Sequence, residues 1–450
     1  MSFQKGDRKV IRAWTWFDWA NSVYPLVITT AVFPLYYEAV VGMEDPNCVL
    51  DPNVCDSCEK YITFFGRKFI NTELYAYCIS LSFLLVSFIT PVLSGIADYA
   101  GKKKRFMQIF STLGAFSSLA LYFFTGPENL GFGLGCTILA SIGFAGSIVF
   151  YNAFLPEIAH EKDLDRISAQ GFTMGYIGSS ILLAACLVLI MMPDLFGLTE
   201  GMATRIAFVL AGLWWFGFAF MTWKHLPNNI YNRKPDGQNM LTKGWKELGS
   251  VFRILNQKGQ GRLRLFLLSF FFYSLGYMTV IYLATPFGQK ELCLATSDLI
   301  ICVMLIQFVA IGGSYFFAWL AGRIGNIQSI MVSVLIWVGI CVFTWFIDSA
   351  VQFYGLAVAV GTVMGGIQAL SRSTYAKLLP ETEDHASFYS FYDITEKVAI
   401  TIGSYSFGLV ENLTGSMRGS ALFLGVFFAI GFILLFITSR IKPPQATSAS

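Results

Sequence analysis

The sequence predicts an all-α membrane protein with twelve transmembrane helices arranged as two six-helix bundles. Three observations predict it. Apolar residue types make up 55% of the 450 residues and charged types 13%, with a mean hydropathy of +0.60, which lies outside the range of soluble domains. The chain falls into a dozen apolar runs, each near the roughly 20 residues that cross a hydrocarbon core. The second six runs also repeat motifs of the first six at a fixed interval.

In chain order the runs cover residues 12–37, 72–97, 106–125, 130–153, 168–192, 205–223, 263–287, 298–320, 327–347, 351–377, 387–409 and 419–441. Residues 1–12 are short and basic, but the run behind them is too long for a signal-peptide core and carries Asp18 where such a core is apolar. The first helix is therefore expected to stay in the mature protein. Twelve spans put both termini on one side, and that side carries 24 of the Lys and Arg residues against six on the other, Lys397 lying inside the eleventh run. The positive-inside rule makes both termini cytoplasmic. The expected location is multi-pass in a membrane, the bacterial inner (plasma) membrane. A net charge of +3 spread over loops does not point to nucleic acid.

"YNAFLPE" ends at Glu157 and "YAKLLPE" at Glu381, an offset of 224 that also carries Gly101 onto Gly325. Six helices thus repeat as six in parallel, as in transporters whose halves are related by an axis along the membrane normal. The domains read as residues 1–223, a cytoplasmic linker at 224–262, and 263–450. In the linker Leu241, Trp245, Leu248, Phe252 and Leu255 recur at helical spacing beside Lys243, Lys246 and Arg253. Such an amphipathic helix lies on the membrane surface or packs on the protein's own cytoplasmic face, and the pattern leaves both open.

The segment "SGIADYAGKKKR" resembles the loop between the second and third helices of the major facilitator superfamily. Asp98, Gly101, Lys102, Lys103 and Lys104 fit that pattern, whereas Ser94 and Tyr99 depart from it. "WTWFDWANSVYPLVITTAVFPLYY", "LPEIAHEKDLDRISAQGFTMGYIGS", "SRSTYAKLLPE" and "TGSMRGS" together resemble the vacuolar amino-acid effluxer-like branch, called the unknown-major-facilitator family in bacteria. The resemblance runs from the first span to the twelfth. It implies the major facilitator fold and a secondary transporter working by alternating access, with neutral amino acids as the cargo of fungal relatives.

Asp18, Asn21, Ser22, Pro25 and Thr29 fall at helical spacing on one polar stripe of the first span, and Tyr24 lies beside it. Asp18 is six residues beyond Arg12, about 9 Å inside the membrane end. In the eleventh span Asp393, Glu396 and Lys397 share a face, and Arg372 in the tenth lies at similar depth. Ionisable residues inside a membrane are by default functional, so these groups are expected to meet as one charge network between the bundles. There Arg372 or Lys397 receives a substrate carboxylate, and Asp18 or Glu396 carries a proton. A permanently satisfied network that only locks the eleventh helix is the competing reading. The resemblance implies a gating set of Asp98, Gly101 and Lys102 to Lys104, with ordinary topology-setting charge as the competing reading, and Glu157 and Glu381 are expected as symmetric caps or latch acceptors. Trp14, Trp16 and Trp19 read as an interfacial belt, with a place lining the cavity as the alternative, and "DLD" at Asp163 to Asp165 as a solvated turn.

Cys48, Cys55 and Cys58 in the longest outward loop, with Cys293 as a possible fourth member, suggest a disulfide in an oxidising compartment. No metal is expected, because that side lacks His. The three His lie in or at loops, which leaves no catalytic constellation at membrane depth, and no phosphate-binding Gly-x4-Gly-Lys-Ser/Thr loop occurs. The expected protein is a cofactor-free monomer, not an enzyme, moving a small solute such as an amino acid with protons as a coupling ion. A membrane receptor is the alternative.

Overall fold

The computed structural model describes residues 4–41, 43–44, 60–233, 239–257 and 259–441. The first span is a rod of 33 residues, Arg8–Val40, in three pieces: α1 (Arg8–Asn21), a π-helical stretch Tyr24–Val32, and α2 (Phe33–Val40). Asp7 caps α1 by accepting from the Lys9 amide at 2.8 Å, which satisfies a donor that the first helical turn leaves orphaned. Pro25 and Pro34 have no amide hydrogen to give the helix, and the Thr30 hydroxyl donates to the Pro25 carbonyl five residues earlier at 2.7 Å. Wide turns of this kind occur often at functional sites. The α-helical register of the predicted stripe therefore holds from Asp18 to Ser22 and changes before Thr29.

The remaining helices are α3 (Asn71–Ala100), α4 (Lys103–Ala120), α5 (Leu130–Ile158), α6 (Leu164–Met191), α7 (Glu200–His225), α8 (Met240–Leu255), α9 (Gly261–Leu292), α10 (Thr296–Ile324), α11 (Asn326–Thr344), α12 (Ala350–Leu378), α13 (His385–Thr414) and α14 (Met417–Arg440). Among the described residues eleven rods are long and apolar enough to cross a membrane, and α13 is not one of them. It is 30 residues long but carries Asp393, Glu396 and Lys397 in its first half. Tyr77, Leu81, Leu84 and Phe88 on α3 form an exposed apolar stripe at helical spacing, the face a spanning helix turns to acyl chains. Trp14, Trp215 and Trp337 are fully buried. The repeat is visible at the chain reversals: Gly101 ends α3 with φ +63° and Gly325 ends α10 with φ +91°, backbone values that favour glycine.

The loop after α2 is not wholly irregular. It holds an antiparallel three-stranded sheet of β1 (Met43–Glu44), β2 (Lys60–Phe64) and β3 (Arg67–Ile70). Cys48, Cys55 and Cys58 lie outside the described residues. Cys293, at the end of α9, is disulfide-bonded, and its counterpart also lies outside them.

Helix α8 packs on the protein. Gly244 sits against Val92, Gly95 and Ile96 of α3 so closely that a Cβ on Gly95 would run into the Gly244 carbonyl. Lys243 lies over the Tyr99 ring, 5.6 Å from its centroid, and Phe252 stacks on Phe391 of α13 at 6.4 Å. The buried face includes Val251 and Leu255, while Trp245 stays exposed. The helix therefore straddles α3, from the first half of the chain, and α13, from the second. Gly95→Val is expected to overpack this contact and cost about 1–3 kcal/mol, read as a lower melting temperature of the purified protein. Gly249→Ala, with no neighbour within 4 Å, should not lower it.

Candidate functional site

The site lies toward the end of the bundle that carries the basic loops. Its centre is Arg372 on α12, whose side chain is 3% exposed. Nη1 and Nη2 both donate to Asp18 Oδ2 of α1 at 3.3 Å. Nε donates to Ser168 Oγ at 3.0 Å and Nη2 to the Ser168 carbonyl at 2.8 Å, and Nη1 donates to Asn152 Oδ1 of α5 at 3.3 Å. A guanidinium has five N–H donors, and all five find an acceptor. Asp18 Oδ2 also accepts from the Tyr151 hydroxyl at 2.7 Å.

An aromatic box closes around the pair. Trp14 stacks on Tyr151 with centroids 4.4 Å apart, and the guanidinium carbon lies 4.8 Å from the Trp14 ring and 4.1 Å from the Phe172 ring. Such cation–π contacts gain strength where water is excluded. A Cβ on Gly171 would meet Asp18 Oδ2 and the Arg372 guanidinium, so only glycine lets α6 come this close. Further along the same face, Gly175 abuts Ser22 and Gly178 abuts Trp19. Trp14 is thus a wall of the site, not a member of an interfacial belt, and sequence reasoning missed Tyr151, Asn152, Ser168 and Phe172. Tyr151 and Asn152 stood in the repeated "YNAFLPE" motif, which was their available signal.

The single network expected from sequence divides in two. On α13, Lys397 donates to Asp393 Oδ1 at 3.1 Å and to Glu396 Oε2 at 3.3 Å, and the Tyr277 hydroxyl donates to Glu396 Oε1 at 3.2 Å. Lys397 also faces Phe83 of α3, 5.7 Å from its centroid. No ion pair joins this trio to Asp18 or Arg372 among the described residues. The link is indirect: Tyr389 of α13 donates to the Arg372 carbonyl at 3.2 Å. Asn21, beside Asp18, is 1% exposed, and neither side-chain polar atom has a hydrogen-bond partner among the described residues. Ser22 is half-buried, and the Tyr24 hydroxyl pairs with Ser141 Oγ at 2.7 Å.

Two peripheral contacts close the same end. Asp98, at the end of α3, accepts from the Ser387 and Ala386 amides at 2.7 and 3.3 Å. It therefore caps the N-terminus of α13 across the two halves, where free amides and the helix dipole favour an anion. Lys103 bridges Asp98 at 3.5 Å and Glu157, and His385 Nδ1 lies 3.1 Å from Glu157 Oε1. The linker joins in. Asn229 fills the space beside Gly101, and Arg233 pairs with Asp384 at 2.8 Å and Glu383 at 3.1 Å. Although desolvation opposes its charge, Asp384 holds the Arg233 guanidinium above its usual value. The second contact pairs Asp165 of α6 with Lys377 of α12 and accepts from Asn326 Nδ2 at 2.6 Å.

Three readings change accordingly. Asp165 is not in a solvated turn but bridges the halves. Lys102 is exposed, and Lys104 donates to the Leu226 carbonyl at 2.8 Å, so Lys103 alone of the basic run enters the latch. Glu381 is exposed with no ion pair among the described residues, so the caps are not symmetric, and Glu383 and Asp384 take the acidic role in the second half.

Comparison with known proteins gives one consistent result. The profile of the family described as "Vacuole effluxer Atg22 like" matches residues 6–445. The chain is 33% identical over 426 residues to the "Uncharacterized MFS-type transporter YxiO" of Bacillus subtilis (strain 168), covering 94% of this chain and 93% of that protein. It is 24% identical over 466 residues to "Autophagy-related protein 22" of Eremothecium gossypii, covering 92% and 87%. The human organic anion transporter MFSD10 (TETRAN) superposes with a TM-score of 0.72 at 12% identity, over 96% of this chain and 100% of that one.

Removing one partner of a buried ion pair costs about 3–5 kcal/mol because the other charge is stranded. Arg372→Met or Asp18→Asn alone should therefore lower the melting temperature of the purified protein. The double variant should lie above the more damaged of the two, and a strictly additive loss would mean the pair is not coupled.

Proposed function

The chain belongs to the Atg22-like family of major facilitator superfamily transporters, and on that premise we propose that it is a secondary transporter moving a small polar solute, an amino acid or a close analogue, by proton-coupled alternating access. The observation that carries the reading is the Asp18–Arg372 pair. It ties helices from opposite halves together deep inside the bundle, and the Asp98 and Asp165 contacts tie the same halves at the rim. With the basic end at the cytoplasm, this is the arrangement closed to the cytoplasm. Transport then requires the pair and both rim contacts to part, because a passage cannot open between helices that remain bolted.

Cargo recognition falls to the α13 trio and its surroundings. Glu396 is its least buried member, its side chain 17% exposed, and it suits an ammonium group, while Lys397 suits a carboxylate. The zwitterionic ends of an amino acid would replace the two side chains' bonds to each other. Arg372 is the weaker candidate for the carboxylate, since all its donors are engaged in the closed state. The polar atoms of Asn21 are free to meet the cargo's body. Energy comes from a gradient, and buried carboxylates supply the proton sites.

Liposomes containing the purified protein should exchange radiolabelled neutral L-amino acids in counterflow and accumulate them under an imposed pH gradient. Asp18→Asn and Lys397→Met should each reduce that accumulation by an order of magnitude or more while the protein remains folded. A protein that moves no amino acid, peptide or sugar under any gradient would instead be a receptor.

A further inference from the structure

We propose that the coupling proton is carried on Asp393, at its Oδ2, rather than on Asp18 or Glu396. The assignment rests on the proton-coupled reading above and names the atom that serves it. Two carboxylates, Asp393 and Glu396, share one ammonium, Lys397, so with every group ionised the trio carries one negative charge in excess. Burying an uncompensated charge is costly, and one proton removes it.

The geometry selects where that proton sits. Glu396 has both oxygens engaged, one by Lys397 and one by the Tyr277 hydroxyl. Asp18 meets Arg372, a full counter-charge, and Tyr151, so a proton there would break a balanced pair. Asp393, its side chain 3% exposed, gives Oδ1 to Lys397, while its buried Oδ2 has no hydrogen-bond partner among the described residues. Among the described residues the groups around it add no second cation. On its own helix stand Lys397, Glu396 and Tyr392; α9 presents Tyr273, Tyr277 and Tyr282 toward the trio; and α3 contributes Phe83.

The step balances simply. From the open side a hydrated proton binds Oδ2, an O–H bond forms, the carboxylate becomes a neutral acid, and the trio goes from one net negative charge to none. The neutral trio can be sealed from water while the bundle changes sides, and the same O–H bond breaks to release the proton to water there. A sealed trio without the proton holds the excess charge, which raises the barrier to crossing and couples the proton to the movement.

Infrared difference spectra of the purified full chain across a pH step report protonated carboxyl groups by their C=O stretch. The wild type should show such a band, and aspartate-specific 13C labelling should shift it. It should persist in Asp18→Asn and vanish in Asp393→Asn. In Asp393→Glu, which keeps the acid should the amide variant fail to fold, the band should no longer respond to aspartate labelling. A band that survives in Asp393→Asn, or one that ignores labelling in the wild type, overturns the assignment. The amino-acid liposomes separate the two levels of the argument: no pH-gradient effect in the wild type removes proton coupling itself, whereas a gradient effect that persists in Asp393→Asn removes only the role of Asp393.

Discussion

A guanidinium buried between two halves of a membrane bundle is the constraint around which the rest is arranged. Arg372 cannot be neutralised in practice, and an unpaired charge at this depth would cost several kcal/mol. Five hydrogen bonds to four acceptor atoms, one of them ionised, and an aromatic box meet that cost. The surrounding helices must then approach closely enough to supply them: α1 through Asp18, α5 through Asn152, α6 through Ser168. Gly171 is the local consequence, because any side chain there would occupy the space where carboxylate and guanidinium meet. The Gly175 and Gly178 contacts continue the same close approach up α6.

The rim contacts are built differently. Asp98 meets a helix terminus, and Asp165 meets Lys377 and Asn326 where the side chains are only partly buried. The Asp165 contact therefore exchanges for water at lower cost than a fully desolvated pair, whereas Asp98, Lys103 and Glu157 are as buried as the central pair. The linker residues Asn229 and Arg233 press on the Asp98 contact, so the chain segment joining the halves also helps to hold them together, and α8 crosses the same α3–α13 seam on the outside. On the proposed reading, opening the basic end disturbs the linker, the seam helix and the central pair together, which would make the closed state cooperative.

Much of this was legible in the residues. Composition and run length gave the spanning helices, and the 224-residue interval located both glycine reversals. Asp18, Arg372 and the α13 trio were identifiable because charge is rare at membrane depth. What could not be read was partnership. Helical spacing says which residues share a face, but not which neighbour the face meets, so two clusters looked like one. Trp14 looked like a belt residue because a tryptophan near a helix end is usually amphipathic packing, and only the position of Arg372 shows it as a wall. Asp165 looked solvated because its sequence neighbours Glu161, Lys162 and Arg166 are charged, while its actual partners lie more than 160 residues away. The repeat misled at Glu381: the motif recurs, but Glu157 faces Lys103, and the position equivalent to Lys103 is Ile327, which offers no cation.

That asymmetry assigns different work to the two charge clusters. The Asp18–Arg372 pair is neutral and every guanidinium donor is engaged, which on the proposed reading suits a bolt. The α13 trio is unbalanced, partly open and incompletely bonded, so a ligand or proton lowers its energy at once. The two are connected through one turn of helix, since Tyr389 lies four residues before Asp393 and donates to the backbone of Arg372 itself. Rotation or tilt of α13 in response to a change at the trio therefore acts on the α12 backbone that aims the guanidinium. On the proposed reading, a neutral bolt beside an unsatisfied sensor, joined by a rigid helical turn, would give cargo occupancy a direct mechanical hold on the gate.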